Sequence, residues 1–137
     1  MGLVFDTSAL IQIERSGDLA DDSLKTYEDE AVVIPAIVWA ELLIGVRMAA
    51  NADTAAQRRA KLERIRLNIP LIEFDADIAE HYAAIFSECS HAGRMLPQND
   101  MAVAATARAL GYRVVVGARD EKHFRLVRNL DVVVLGS

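Results

Sequence analysis

Four acidic side chains stand where a charge is costly unless something meets it. Asp6 closes the apolar run Leu3, Val4, Phe5 and is followed by two hydroxyl residues, Thr7 and Ser8. Glu41 lies inside IVWAELLIG, where helical spacing gives it Ile37 at i−4 and Ile44 and Gly45 at i+3 and i+4. It therefore points along the buried face, with space beside the glycine, and needs hydrogen bonds, a basic group or a metal ion. Asp100 enters the first turn of an alanine-rich helix after LPQND, with Asn99 as its cap and Ala104 and Ala107 as core-type neighbours. Asp120 follows the apolar run RVVV in the loop GARDEK. Three of them have an ordinary explanation alone: a helix cap for Asp6, Thr7 or Ser8, the helix dipole for Asp100, a turn for Asp120. Jointly they suggest more. Carboxylates gathered in a small space repel and raise one another's pKa unless cations neutralise them, and an all-oxygen donor set selects Mg²⁺ or Mn²⁺ over zinc.

The elements that must position these acids follow from periodicity. Short apolar runs at GLVF (2–5), AVVI (31–34), LIEF (71–74), RVVV (113–116) and VVVL (132–135) alternate with helical patterns. A helix starts near Ser8, and the acidic stretch DLADDSLKTYEDE forms a surface helix with Leu19, Leu24 and Tyr27 inward. Pro35 opens the helix AIVWAELLIGVRMAA, and Ala52, Ala56, Leu62 and Ile65 recur at helical spacing in the polar stretch that follows. Asp75 caps a helix whose stripe is Ile78, Ala79, Tyr82, Ile85, Phe86 and Cys89, ending near Gly93. Gly111 stops the alanine-rich helix, and GARDEKHF reads as irregular. This pattern, without hairpin signals, gives an α/β fold: one three-layer α/β/α domain over residues 1–137 with a mostly parallel central sheet. In such sheets strand ends and helix starts converge at an edge crevice.

Composition sets bounds. A chain of 137 residues, 53% hydrophobic, suits a single core. One cysteine, Cys89, permits no internal disulfide and no zinc framework, and neither a transmembrane run nor a signal peptide is evident, so a soluble cytoplasmic protein with no membrane partner is expected. His81, His91 and His123 have no zinc-site spacing, and Ser8 lacks the GxSxG elbow of a serine hydrolase. The net charge of −5 argues against nucleic acid until its distribution is considered. Residues 1–30 hold eight acidic and two basic side chains, leaving the rest of the chain at +1 with basic clusters at Arg58–Arg66 and Arg113–Arg128.

The order of motifs, an N-terminal strand ending DTSAL, then WAELLIG, PQNDMAVAATARALG and RDEKHF, resembles PIN-domain ribonucleases of the VapC toxin type across nearly the whole chain. The resemblance implies that Asp6, Glu41, Asp100 and Asp120 are catalytic acids binding Mg²⁺, with Mn²⁺ as a substitute, and that Thr7, Ser8 and Asn99 support them. It further implies endonucleolytic hydrolysis of RNA by metal-activated water, with Arg113, Arg119 and Lys122 contacting the substrate, and a homodimer restrained by a small VapB-type antitoxin. The helices carrying Leu10, Ile11, Ile13 and Leu19, and Trp39, Leu43 and Met48, offer apolar surface to that partner. Such relatives usually carry Thr two residues before the fourth acidic position, whereas this chain has Ala118, with His123 available to assist. The rival readings are a non-catalytic interaction module of the same fold and a receiver-type phosphoacceptor domain, for which Asp21 and Asp22 are misplaced.

Overall fold

Strand β1 (Gly2–Phe5) is buried at every position, and β4 (Arg113–Val116) at its last three. Since neighbouring side chains on a strand face opposite ways, continuous burial means that both faces are covered. The computed structural model describes residues 1–16 and 26–136. Its sheet has the order β3-β2-β1-β4-β5, with β2 at Ala31–Pro35, β3 at Leu71–Ile72 and β5 at Val132–Val134, and every pairing is parallel. Helices α1 (Thr7–Ser16), α2 (Ala36–Arg47), α3 (Ala52–Asn68), α4 (Ala76–Ala92), α5 (Gln98–Leu110) and α6 (Glu121–Phe124) complete a three-layer α/β/α arrangement.

This strand order locates the crevice. From β1 the chain moves to β2 and β3 on one side, then returns across the sheet to β4 on the other. The switch in direction falls between β1 and β4, where the loops beyond the carboxyl ends diverge and leave room for a ligand. The core beneath is Val4, Phe5, Val114 and Val115 from the central strands, with Leu10, Val38, Met101 and Phe124 from the helices, all nearly inaccessible to solvent.

Several boundaries differ from the sequence reading. The LIEF run pairs only through Leu71 and Ile72, because β3 is an edge strand meeting only the end of β2, and Glu73 and Phe74 are exposed. Pro35 ends β2 and occupies the N-cap of α2, one position before the first turn. GARDEKHF contains the one-turn helix α6. Asp75 does cap α4, accepting from the Ile78 amide at 2.8 Å, and Gly93 and Gly111 end α4 and α5 in the left-handed region at φ 70° and 69°. Phe86 is exposed rather than part of the α4 stripe. Leu10 and Ile13 belong to the core, so neither is available to a partner; Ile11, Trp39 and Leu43 are half-buried and Met48 is exposed. Leu19, Leu24 and most of the expected acidic helix lie outside the described residues. No helix among the described residues is long and apolar enough to cross a membrane.

Candidate active site

Asp6 occupies the junction of β1 and α1, and both sequence explanations for it hold. Its backbone N–H donates to the Val115 carbonyl at 3.0 Å, continuing the sheet, while its own carbonyl accepts the first helical bond from Leu10 at 3.2 Å. Its carboxylate accepts from the Ser8 amide at 3.3 Å, as a cap does. Yet the side chain is buried, with 1% of the residue exposed, at the carboxyl end of a central strand.

Two hydroxyls, a backbone amide and an imidazole hold the surrounding groups. Ser8 Oγ donates to Asp6 Oδ2 at 2.7 Å and accepts from the Gly117 amide at 2.9 Å, tying the start of α1 to the loop after β4. The approach is close: a Cβ on Gly117 would stand 3.3 Å from the Ser8 carbonyl oxygen and 3.2 Å from Gln12 Oε1. Thr7 Oγ1 donates to Glu41 Oε1 at 2.9 Å. His123 Nδ1 lies 3.0 Å from Asp100 Oδ2, the tautomer protonated there acting as donor. Ala118 has no hydroxyl, and its loop is bound to α1 through the Gly117 amide and Ser8 Oγ.

Apart from His123, these residues line one cavity of about 780 Å³, with Asp6, Glu41, Asp100 and Asp120 all on its wall together with Thr7 and Ser8. Burial pushes the Asp6 carboxyl up to about 6; Ser8 hydrogen bonds oppose the shift, and the charges of Asp100 and Asp120 add to it. Asp100 is also raised, first by burial and then by Asp120 and Glu41, against the opposing bond from His123. Burial first and neighbouring carboxylates second thus disfavour the charged forms of these two acids.

Oxygen donors of this kind suit a hard divalent cation. Among the described residues, however, no three His, Cys, Asp or Glu side chains are gathered as a ready metal-binding group. Asp6, Glu41 and Asp100 each have one oxygen engaged, by Ser8, Thr7 and His123 respectively, which leaves each carboxylate a second oxygen. The donor chemistry and shared cavity fit a metal.

Three expected positions fall elsewhere. Asn99 is not a cap: Pro97 occupies the N-cap of α5, and Asn99 lines a separate cavity with Phe74 and Tyr82. Arg113 begins β4, at the opposite end of the strand from the acids, where it pairs with Glu30 at 3.0 Å and lies 4.8 Å from the centre of the Tyr27 ring. Lys122 is exposed on α6 and does not line the acid cavity, whereas Arg119 does. Sequence reading overlooked Gln12 and Arg15, which also line it. Their signal was present: Thr7, Ile11 and Arg15 are spaced by four residues, and Ser8 and Gln12 likewise, which puts them along one side of α1.

Comparison with known proteins agrees with this architecture. The PIN domain family matches residues 3–129. Over 137 residues the chain is 30% identical to a protein named Ribonuclease VapC1 from Rickettsia felis, covering all of this chain and 98% of that one. It is 33% identical over 112 residues to Ribonuclease VapC5 from Mycobacterium tuberculosis, covering 82% and 79% of the two chains. Among solved structures, VapBC2 from Rickettsia felis bound to a DNA fragment from its promoter superposes with a TM-score of 0.85 at 21% identity, covering 98% of each chain. VapBC-5 from Mycobacterium tuberculosis, a member of the VapBC family of toxin-antitoxin systems, gives 0.74 at 26% identity and the same coverage.

Proposed function

This chain belongs to the PIN-domain family, and we propose that it is a divalent-metal-dependent endoribonuclease serving as the toxin of a VapBC-type toxin-antitoxin pair. The observation that carries this reading is the set of four carboxylates, Asp6, Glu41, Asp100 and Asp120, on one cavity at the topological switch of a PIN-domain sheet.

Asp6, Glu41, Asp100 and Asp120 would hold Mg²⁺, or Mn²⁺ in its place. The chemistry such ions supply when bound is activation of water and neutralisation of charge in an in-line displacement at phosphorus. The chain's own residues do the positioning. Ser8 fixes the Asp6 carboxylate against the β4 loop, Thr7 fixes Glu41, and His123 holds Asp100. Arg119 and Arg15 supply positive charge on the cavity wall, without which an anionic pocket would repel a phosphodiester. No side chain needs to become covalently attached.

A ribonuclease acting in its host's own cytosol requires restraint, and proteins named VapC or solved as VapBC complexes are this chain's relatives. The proposed partner is therefore a small antitoxin, and the proposed resting form a homodimer carrying it. Exposed Ile44 and Met48 and half-buried Ile11 offer apolar contact on α1 and α2. A partner arginine reaching the acid cavity would pair with its carboxylates by charge-assisted bonds. Purified chain is expected to cleave RNA with Mg²⁺ and to stop with chelator, and 5′-end mapping after induction in cells should show new, discrete RNA ends. Absence of cleavage with either Mg²⁺ or Mn²⁺ would overturn the reading.

A further inference from the structure

We propose that the groove between α1, α2 and α3 is a nucleotide subsite, in which RNA leaving the acid cavity seats its neighbouring nucleotide between Arg15 and Arg58. This deepens the ribonuclease reading and rests on it. The groove, of about 250 Å³, is continuous with the acid cavity: Ile11, Arg15 and Glu41 line both. A strand whose reacting phosphate lies over the carboxylates can continue past Arg15 without leaving the protein surface.

Two arginines, Arg15 and Arg58, line the groove together with Glu14 and Glu41. Arg59, Arg108, Arg113 and Arg125 are each paired with a carboxylate. Among the described residues Arg15 and Arg58 have no such partner, and Arg58 instead donates to the Gly45 carbonyl at 3.0 Å, which draws its guanidinium onto the groove. Each guanidinium can take one phosphate of an RNA strand by charge-assisted hydrogen bonds. Between them, half-buried Ile11 and buried Leu42 and Leu62 give an apolar surface against which a base can pack, and Glu14 is an acceptor suited to a base amino group.

Gly45 lines the groove. It lies inside α2, where glycine is disfavoured relative to alanine, and its φ is not among the positive ones. An added Cβ would meet nothing within 4 Å, so close packing does not require it. What glycine preserves is an open groove one turn beyond Glu41. A peptide partner would use the apolar surface equally, but the unpaired arginines and the continuity with the acid cavity favour RNA.

The test measures binding of a fluorescein-labelled single-stranded oligoribonucleotide with Mg²⁺ across a salt series, in an Asp100→Asn background that prevents cleavage. Arg15→Gln and Arg58→Gln should each weaken binding roughly fivefold and lower the slope of log affinity against log salt by about 0.7, the value for one lost phosphate contact on a single strand. Gly45→Leu should weaken binding with the slope unchanged and the melting temperature maintained. Arg59→Gln, one residue away but paired with Glu63 at 2.8 Å, should alter neither affinity nor slope. Parent affinity and slope in both Arg15→Gln and Arg58→Gln would overturn the subsite while leaving the ribonuclease reading intact. So would variants that keep RNA binding yet lose an antitoxin, making the groove a protein site. A parent that neither binds RNA nor, with Asp100 restored, cleaves it would remove both readings.

Discussion

The two ends of the central sheet solve the problem of charge in opposite ways. At the amino end of β4, Arg113 meets Glu30 through two contacts of 3.0 and 3.1 Å and stacks near Tyr27, so unlike charges neutralise each other beside an aromatic face. At the carboxyl end, like charges are brought together instead. Burial first, and the charges of Asp100 and Asp120 after it, push the Asp6 carboxyl up to about 6, and burial with the charges of Asp120 and Glu41 raises Asp100. Both ends belong to the same strands and core. The difference teaches that the fold does not generate electrostatic strain by default: where stability alone is at stake, the charges are paired. The end where like charges gather is where a cation would have most to gain by binding.

Catalysis should separate the two ends most sharply. Asp6→Asn, Glu41→Gln and Asp100→Asn should each lower Mg²⁺-dependent RNA cleavage by on the order of a thousandfold, equivalent to ~4 kcal/mol of barrier. A neutral amide is a poor ligand for a hard ion, and each variant should keep the parent's circular dichroism. Asp120→Asn should lose less, because its loop carries Ala118 and is tied down through Ser8 and Gly117. Full activity in Asp100→Asn would erase the proposed contrast.

Binding of a cation should show the same contrast without any turnover. Saturating Mn²⁺ or Mg²⁺ should raise the melting temperature, since a ligand at a hundred times its Kd adds about 2.7 kcal/mol to native stability. The double variant Asp6→Asn with Asp100→Asn should not respond. A retained shift in that variant would place the cation elsewhere.

In the metal-free protein, pH should act on the acid end in the direction fixed by Asp6. Its folded pKa of about 6 exceeds the ordinary 3.8, so the folded state holds the proton more tightly than the unfolded chain. The associated stability is complete below about pH 4 and is lost as pH rises through about 6, an effect of up to ~3 kcal/mol. Asp100 is shifted in the same direction and adds to it. Urea unfolding at pH 5 and pH 7.5 should therefore give a lower midpoint at the higher pH. Asp6→Asn should flatten that dependence and be the more stable protein at pH 7.5.

How much of this was legible beforehand depends on what each feature needs to be known. The central strands were readable because burial on both faces leaves continuous apolar runs, and the positions of Asp6 and Asp120 beyond β1 and β4 follow from the rule that places ligands at carboxyl ends. The pairing of Ser8 with Gly117 was not readable, since it depends on β1 and β4 being adjacent despite lying 109 residues apart at that contact. Arg15 was missed because its approach to the acids depends on how α1 is rotated against the sheet, which spacing alone leaves open. Arg113 was misplaced for a different reason. Proximity to Asp120 in sequence means little across a strand, whose four residues carry the chain from one end of the sheet to the other.

That misplacement provides the smallest and most specific effect. Arg113 is partly buried, with 25% side-chain exposure matched by Glu30, and its bonds are local to the amino end. Arg113→Ala should cost roughly 1 kcal/mol of stability, through a partly shielded ion pair and an aromatic contact. It should leave RNA affinity and its salt slope unchanged, because the guanidinium does not line the acid cavity or its groove. Arg119→Ala should do the reverse, weakening RNA binding with little change in the unfolding midpoint, since Arg119 is exposed and lines the cavity. If Arg113→Ala lowered the salt slope as Arg119→Ala does, the substrate would have to reach both ends of the sheet, and the division between a paired end and a working end would fail.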